Sequence, residues 1–392
     1  MNEMKVVIDI GNWYIKGVVF ADEDEKTVVL AKEMVRTRGM RKGKILDIED
    51  FALCINEILE SFTKKLWGDF VEEVIIGVSH PDCLVHRVAE QKRVLSKEIT
   101  HEDIAHLSDV VADATIRPNY EVLKIIPVLW IIDEETKTKD PLNMEARKLE
   151  LIADVFMIPK TYYTNLMEVF QRLDLHVADI VPNILGTAEI CLDFDLKDLG
   201  VLLIDIGANQ TSFVVYEEGY PLFYGVLPMG GEDVTKDISI GLQVDIKEAE
   251  QIKREKGVII LDNRHVEDEA VDVRFLSDIM VARYEEIFEL VQRELIKRQR
   301  DGRLPGGVFL TGWASKVDNM TLLAKDVFKL ASFRAKDGTL KVGDLSENHQ
   351  FLSVLGTYVW SNKYNIPKGR GFGLKFTFGM LTKVRDFFKQ LF

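Results

Sequence analysis

The sequence predicts a two-domain α/β protein built from duplicated halves around a cleft, with a small module inserted into the first half. Three observations predict it. Val6-Val7-Ile8-Asp9-Ile10-Gly11 and Val201-Leu202-Leu203-Ile204-Asp205-Ile206-Gly207 are nearly one string, placed about half the chain apart. Each is followed by a second apolar segment, so each reads as a buried strand, an Asp-x-Gly turn and a returning strand. Residues 83–160 interrupt the first half with a strand–helix–strand–strand pattern whose ends return to the main chain.

The elements follow in order. Residues 4–10, 14–21 and 26–36 read as three strands. Arg38-Gly39-Met40-Arg41-Lys42-Gly43-Lys44 reads as a glycine-punctuated basic loop. Ile48, Phe51, Ala52, Ile55, Ile58, Leu59 and Phe62 recur at helical spacing, which predicts an amphipathic helix over 48–65. Val74–Ser79 is a further buried strand. In the insert, Val85–Val94 alternates as a strand, and Thr100 with Asp103 forms a weakened capping box. Ile104, Leu107 and Val111 are the buried stripe of the helix that follows it. Leu123–Ile132 and Leu149–Ile158 are strands. A helix over 160–174, a strand His176–Val181 and a helix Asn183–Leu192 lead to the second string. Residues 200–228 read as three strands, mirroring the first half. Helices are expected from Gly231 to 242, over Asp245–Lys256 and over Ser277–Arg300. Strand Val308–Leu310 and helices Ser315–Leu330 and His349–Trp360 complete the body.

Composition narrows the function. The chain has 392 residues, 47% of them apolar, which is enough for two or more domains. Its three cysteines are scattered, with no CxxC, so neither a disulfide framework nor a zinc site is indicated. His80, His86, His101 and His106 match no metal-ligand spacing. No leader pattern precedes the first strand and no apolar run reaches a membrane-spanning length, so a cytoplasmic chain is expected. The net charge of −14 argues against nucleic acid as a partner. It is unevenly spread. Lys368, Arg370, Lys375, Lys383, Arg385 and Lys389 face Asp386 alone in the last residues, a basic tail on an acidic body.

The duplicated strings also carry chemistry. A glycine just past a strand lets backbone approach a ligand closely. Its amides and nearby hydroxyls can then face a phosphate. An aspartate at a strand tip can hold Mg²⁺, usually through water. Either string alone is as well explained by a hairpin with a turn aspartate. Two of them, with Lys16 in the first returning strand, point to Asp9, Asp205 and Lys16 converging on a nucleotide with Mg²⁺. The pattern resembles the actin/DnaK/sugar-kinase superfamily.

A more specific resemblance runs along nearly the whole chain. Asp9-Ile10-Gly11-Asn12-Trp13-Tyr14-Ile15-Lys16-Gly17 resembles the first phosphate motif of the FtsA family, actin-like proteins of bacterial cell division. Thr37-Arg38-Gly39-Met40 through Gly43-Lys44-Ile45 resembles its next conserved segment. Asp140-Pro141-Leu142-Asn143-Met144 with Leu149–Pro159 resembles the end of its inserted subdomain. Gly230-Gly231 through Thr235-Lys236-Asp237-Ile238, and Pro305-Gly306-Gly307-Val308-Phe309-Leu310-Thr311-Gly312, resemble two later segments, the second being its adenosine motif. The resemblance implies an actin-like fold with an FtsA-type insert, and ATP with Mg²⁺ as cofactors. Asp9 and Asp205 would sit near the metal and Lys16 at phosphate. Gly11, Gly207 and Thr211 would line the phosphate loops. Asn12, Trp13, Asn209, Gly230, Gly231, Gly312, Trp313, Ala314 and Lys316 fall in the same loops and belong to the expected nucleotide site. Ala249-Glu250-x-x-Lys253 matches the helix that meets ribose and adenine. Glu250 and Lys253 also share one helix face and read equally as a solvated pair. The sequence departs from the pattern twice. Trp313 and Ala314 stand where glycines are common, and Ala208-Asn209-Gln210 stands between Gly207 and Thr211. No residue stands out as a base for hydrolysis, Glu189 being a weak candidate, so at most a slow ATPase is expected.

The resemblance implies subdomains of 1–83 with 161–195, an insert of 84–160, 196–243 with 304–348, and 244–303. A closing helix over 349–362, a linker over 363–373 and a tail over 374–392 complete the division. It further implies self-assembly into filaments and tethering of FtsZ filaments to the cytoplasmic face of the membrane at the division site. The C-terminal peptide of FtsZ is acidic, and Arg283, Arg293, Lys297 and Arg300 on or beside the long third helix are candidates to meet it. Equally, the cations at the helix end complement its dipole. In the tail, Met380, Leu381, Val384, Phe387, Phe388, Leu391 and Phe392 repeat on one helical face, with basic residues on the other. That composition suits the interface of an anionic membrane surface. Two alternatives remain: a PilM-like adaptor of pilus assembly, and a small-molecule kinase of the same superfamily. The tail speaks against the first, and the lack of a general base near the γ-phosphate against the second.

Overall fold

The structure is a computed structural model that describes residues 4–23, 26–66, 72–261, 271–335 and 349–364. The chain forms two compact units. One joins Met1–Cys83 to Val177–Lys363, and the other includes Leu84–His176.

The first unit opens with β1 (Met4–Ile10), β2 (Tyr14–Glu23), β3 (Lys26–Arg36), β4 (Met40–Arg41), β5 (Lys44–Ile45), α1 (Ile48–Lys65) and β6 (Glu73–Val78). The boundaries of α1 are those the periodicity predicts. Asp47 caps it by accepting from the amides of Glu49 and Asp50, and Phe51, Ile55, Ile58 and Phe62 form its buried face. Residues 38–44, read above as a loop, carry the small β4–β5 ladder.

The other unit holds β7 (Leu84–Arg93), α2 (His101–Ala114), β8 (Tyr120–Ile132), β9 (Thr136–Thr138), β10 (Lys148–Pro159) and α3 (Lys160–Arg172). Its sheet runs β7-β10-β8-β9. Leu107, Val111, Trp130, Leu149 and Leu151 meet in one core. Thr100 and Asp103 form a full capping box on α2, stronger than the sequence suggests. Ile104 of the expected stripe is only half-buried.

The chain continues with β11 (His176–Pro182), α4 (Asn183–Cys191), α5 (Phe194–Leu199), β12 (Val201–Ile206), β13 (Thr211–Glu217), β14 (Tyr220–Leu227) and α6 (Gly231–Leu242). Next come α7 (Ile246–Lys256), α8 (Val271–Lys297), β15 (Val308–Thr311), α9 (Met320–Phe328), β16 (Ser332–Arg334) and α10 (Leu352–Lys363). The duplication read from sequence appears as topology. One sheet runs β3-β2-β1-β6-β11 and the other β14-β13-β12-β15-β16. In both, the central strand pairs antiparallel to the next strand and parallel to a later one. Met280, Tyr284, Phe288, Val291 and Leu295 of α8 enter the core beneath the second sheet.

Two further expectations change. The long third helix spans Val271–Lys297 rather than Ser277–Arg300, which leaves Arg300 beyond its end. The helix expected over 315–330 is split into a 3-10 turn, Trp313–Lys316, and α9. Asn319 between them adopts a left-handed φ of 64°, and the Asp318 carbonyl accepts from the Ile259 amide, so the chain is drawn out of helix there. The short α5, capped by Asp193, falls where the sequence predicts no element.

Candidate functional site

Strand register sets the first half of the site. Asp9, next to last in β1, lies opposite Lys16 of β2 and beside Gly77 of β6. Its carboxylate is buried, and three donors hold it. Lys16 Nζ stands 3.1 Å from Oδ2, Ser353 of α10 also donates to Oδ2, and Asn183 Nδ2 of α4 donates to Oδ1 at 2.7 Å. Gly77 makes this possible, because a Cβ there would fall on Asn183 Oδ1. In the following turn, Thr37 Oγ1 donates to the Gly11 carbonyl at 2.7 Å and Gly43 N donates to Asn12 Oδ1 at 2.6 Å. The Trp13 ring carries the Arg36 guanidinium 3.0 Å from its centroid.

The second half repeats the strand end without the partners. Asp205 lies opposite Ser212 and beside Thr311. Among the described residues its carboxylate meets no hydrogen-bond donor and no ion-pair partner. Burial pushes it up to about 6, with Lys16 opposing and the Asp9 carboxylate adding to the rise. Gly312, at φ 88°, brings bare backbone against Asp205 Oδ1. The loop after Gly207 is closed by the amides of Gly231 and Glu232, which donate to the carbonyls of Gly207 and Ala208 at 2.9 and 2.7 Å. Thr211 Oγ1 donates to the Met229 carbonyl, so its hydroxyl is tied to backbone. Asn209 bonds Glu232, whose carboxyl burial raises against the pull of Lys236 and Arg36. The buried Gln210 amide rests against Gly43, and among the described residues its nitrogen has no partner. Ser79 and Ser212 hydroxyls bond at 3.0 Å, a second tie between the two halves of this unit.

Glu250 and Lys253 form the pair their spacing predicts, at 2.6 Å. It is not merely a solvated surface bridge. Lys253 is largely enclosed and donates to the Gly231 carbonyl at 2.8 Å and to Thr235 Oγ1 at 2.6 Å. Burial raises the Glu250 carboxyl, but hydrogen bonds from Lys253 and Thr235 outweigh it and hold the group below its usual range. The pair thus fixes the start of α6, where Gly230 and Gly231 sit. Ala314 packs on Gly231, and its carbonyl accepts from Tyr284 Oη at 2.9 Å. Trp313 turns outward, 54% exposed, with Lys316 Nζ 4.2 Å from its ring centroid.

Two family models match this chain. "Cell division protein FtsA" matches residues 202–356, and "SHS2 domain inserted in FTSA" matches 83–157. The cell division protein FtsA of Bacillus subtilis (strain 168) is 29% identical over 95% of this chain and 87% of its own length. That of Enterococcus hirae is 29% identical over 83% of this chain and 76% of its own. The chain belongs to the FtsA family. Solved structures agree with its fold. The PilM-PilN type IV pilus biogenesis complex covers 91% of this chain and 97% of its own at TM-score 0.66 and 19% identity. MreB 5 of Spiroplasma citri bound to AMPPNP covers 93% and 98% at TM-score 0.56 and 12% identity. The fold is therefore the actin-like one expected, with the FtsA-type insert.

Within this member of the FtsA family, the four cations singled out on or beside α8 all face carboxylates. Arg283 grips Asp237 with two nitrogens at 2.6 and 3.0 Å, Arg293 faces Glu289 at 3.6 Å, Lys297 meets Glu294 at 2.6 Å and Arg300 meets Glu217 at 2.8 Å. The helix end is thus charge-compensated rather than a bare basic patch. Glu189, the weak candidate for a base, is buried between Lys197 and Lys363, each at 2.8 Å, so its surroundings are those of a structural ion triad. Sequence reading missed Asn183 and Ser353, the partners of Asp9. They lie 174 and 344 residues away from it, and no local pattern marks either. The tail residues Met380, Leu381, Val384, Phe387, Phe388, Leu391 and Phe392, and the linker before them, lie outside the described residues.

Proposed function

We propose that this FtsA-family chain binds ATP with Mg²⁺ in the cleft of its first unit, assembles with copies of itself, and tethers FtsZ filaments to an anionic membrane surface through its C-terminal amphipathic helix. One observation carries the nucleotide part. Two carboxylates stand at equivalent strand ends, and one of them, half-buried and without a partner among the described residues, lies against bare glycine backbone. A partly desolvated carboxylate with no partner is a ready place for a cation. The donor set fits Mg²⁺, a hard ion that takes oxygen ligands and keeps waters. Asp205 would hold it, with Asp9 nearby, and the ion would supply positive charge against the phosphates. Lys16 would meet phosphate. Gly11, Gly207 and Thr211 would shape the loops, with Gly230, Gly231 and the Glu250–Lys253 pair on the ribose and base side. The actin-like neighbour MreB 5, solved with AMPPNP, supports the choice of an adenine nucleotide. In this reading nucleotide serves assembly more than turnover.

The tethering part rests on family membership and on the tail's composition. Among the described residues no helix is long and apolar enough to cross a membrane. A peripheral attachment at the division site, on the cytoplasmic face, matches that. The insert, residues 84–160, would supply a self-assembly contact. Co-sedimentation with anionic liposomes, with and without Mg-ATP and FtsZ filaments, tests the whole. FtsZ is expected in the pellet only when this chain is present. FtsZ that stays in the supernatant under every condition overturns the tether. The PilM-like alternative predicts the same nucleotide binding but no liposome pelleting.

A further inference from the structure

Ser353 lies in the first turn of α10, yet its side chain belongs to the cleft. Its hydroxyl donates to Asp9 Oδ2 at 2.5 Å and accepts from Lys16 Nζ at 3.4 Å. A serine hydroxyl has one proton and two lone pairs. Here the proton goes to the carboxylate and one lone pair to the ammonium. Both of its partners are ions that a nucleotide with Mg²⁺ would engage. A phosphate competes for Lys16, and a cation competes for Asp9 Oδ2. The rest of α10 is held by other means. Tyr358 stacks on Phe20 with centroids 4.1 Å apart, Ser361 Oγ donates to Asp179 at 2.8 Å, and Gly356 meets Gly186 of α4. Loading the site therefore changes the hold on the first turn and leaves these other ties in place.

We propose that Ser353 is a positioning residue for Asp9 and Lys16, and that through it α10 changes its local stability when a polyphosphate with a divalent cation occupies the site. The inference rests on the nucleotide reading above. It assigns to the body's last helix a role as reader of the site's occupancy.

Hydrogen exchange over α10 in the full chain, with and without saturating Mg-ATP, tests it. Calorimetry on the same samples establishes saturation. In the wild type, exchange over α10 is expected to change by about threefold or more on loading. Ser353→Thr should keep the response. Ser353→Ala should still bind, within about tenfold of wild type, and lose the response. Ser353→Cys, which keeps the volume but only a weak donor, serves in place of the alanine variant should that one not fold. A purely structural Ser353 would shift exchange equally with and without Mg-ATP. That result, or an unchanged wild-type α10 at calorimetric saturation, overturns the proposal while leaving nucleotide binding standing. A wild type with no calorimetric binding overturns the nucleotide reading and this proposal with it.

Discussion

Asp9 and Asp205 occupy the same place in two sheets of the same strand order, and their surroundings differ. Asp9 is held by Lys16, Ser353 and Asn183. Asp205 has no such partner among the described residues, and its ordinary range is shifted upward to about 6. Burial is the first cause of that rise, and the cross-strand neighbour differs as well. The residue opposite Asp9 is Lys16, and the residue opposite Asp205 is Ser212.

Asp205→Asn should abolish Mg-ATP binding by calorimetry and, without nucleotide, raise stability. The folded carboxyl is raised from 3.8 to about 6. Its contribution is therefore full below pH 4 and is lost as pH rises through 6. By pH 7.5 the loss is on the order of 1–3 kcal/mol. Thermal melts of wild type and variant at pH 5 and pH 7.5 check this. The variant's advantage should grow with pH.

Gly77→Ala should damage the site without touching a charged group. The new methyl falls on Asn183 Oδ1 and lies 2.8 Å from Thr357 Oγ1, so Asn183 must leave Asp9 or the strand must shift. A loss of about 1–3 kcal/mol in urea melts and a weaker Mg-ATP isotherm are expected together.

Glu189→Gln should destabilise the fold by about 3–5 kcal/mol, because it leaves Lys197 enclosed without its counter-charge. If Glu189 instead served hydrolysis, the variant would melt like wild type and lose turnover.

Lys297→Glu with Arg300→Glu should weaken binding of an acidic FtsZ peptide in fluorescence anisotropy, more at low salt than at high. Because both cations already face carboxylates, the effect should be a few-fold at most. Unchanged anisotropy assigns these charges to the helix alone.

Phe387→Glu with Phe388→Glu should release the protein from anionic liposomes and leave its melting temperature unchanged. A single short helix binds such a surface weakly, and many copies on a polymer bind it firmly. Pelleting equal to wild type would assign the membrane contact elsewhere. A lower melting temperature would place the tail against the body.

The body of the fold was legible because its signals are local. Periodicity marked α1 to the residue, and the repeated Asp-x-Gly strings marked the two sheets. The break before α9 was not, since Asn319 and the tie from Ile259 to Asp318 are matters of tertiary contact. The site divided the same way. Asp9, Lys16, Asp205 and the Glu250–Lys253 pair carry a string or a spacing. Asn183 and Ser353 are polar residues at the starts of largely apolar helices, and only the folded chain brings them to Asp9. Trp313 shows the reverse. It stood out as a departure at the nucleotide site, yet in the structure it faces outward against Lys316.

The crossing of α4 and α10 at Gly186 and Gly356 has a mechanical consequence. Cβ atoms added at Gly186 would stand 2.8 Å from the Gly356 carbonyl carbon, so the two backbones touch with nothing between them. Side chains at a helix crossing act as cushions, because rotamers absorb small displacements. At the crossing point itself the two glycines supply none. α4 begins at Asn183, and α10 begins beside Ser353. The first turns of both helices rest on Asp9, and direct backbone contact joins the helices behind it. A spectroscopic probe on either helix should therefore report on what happens at that single carboxylate.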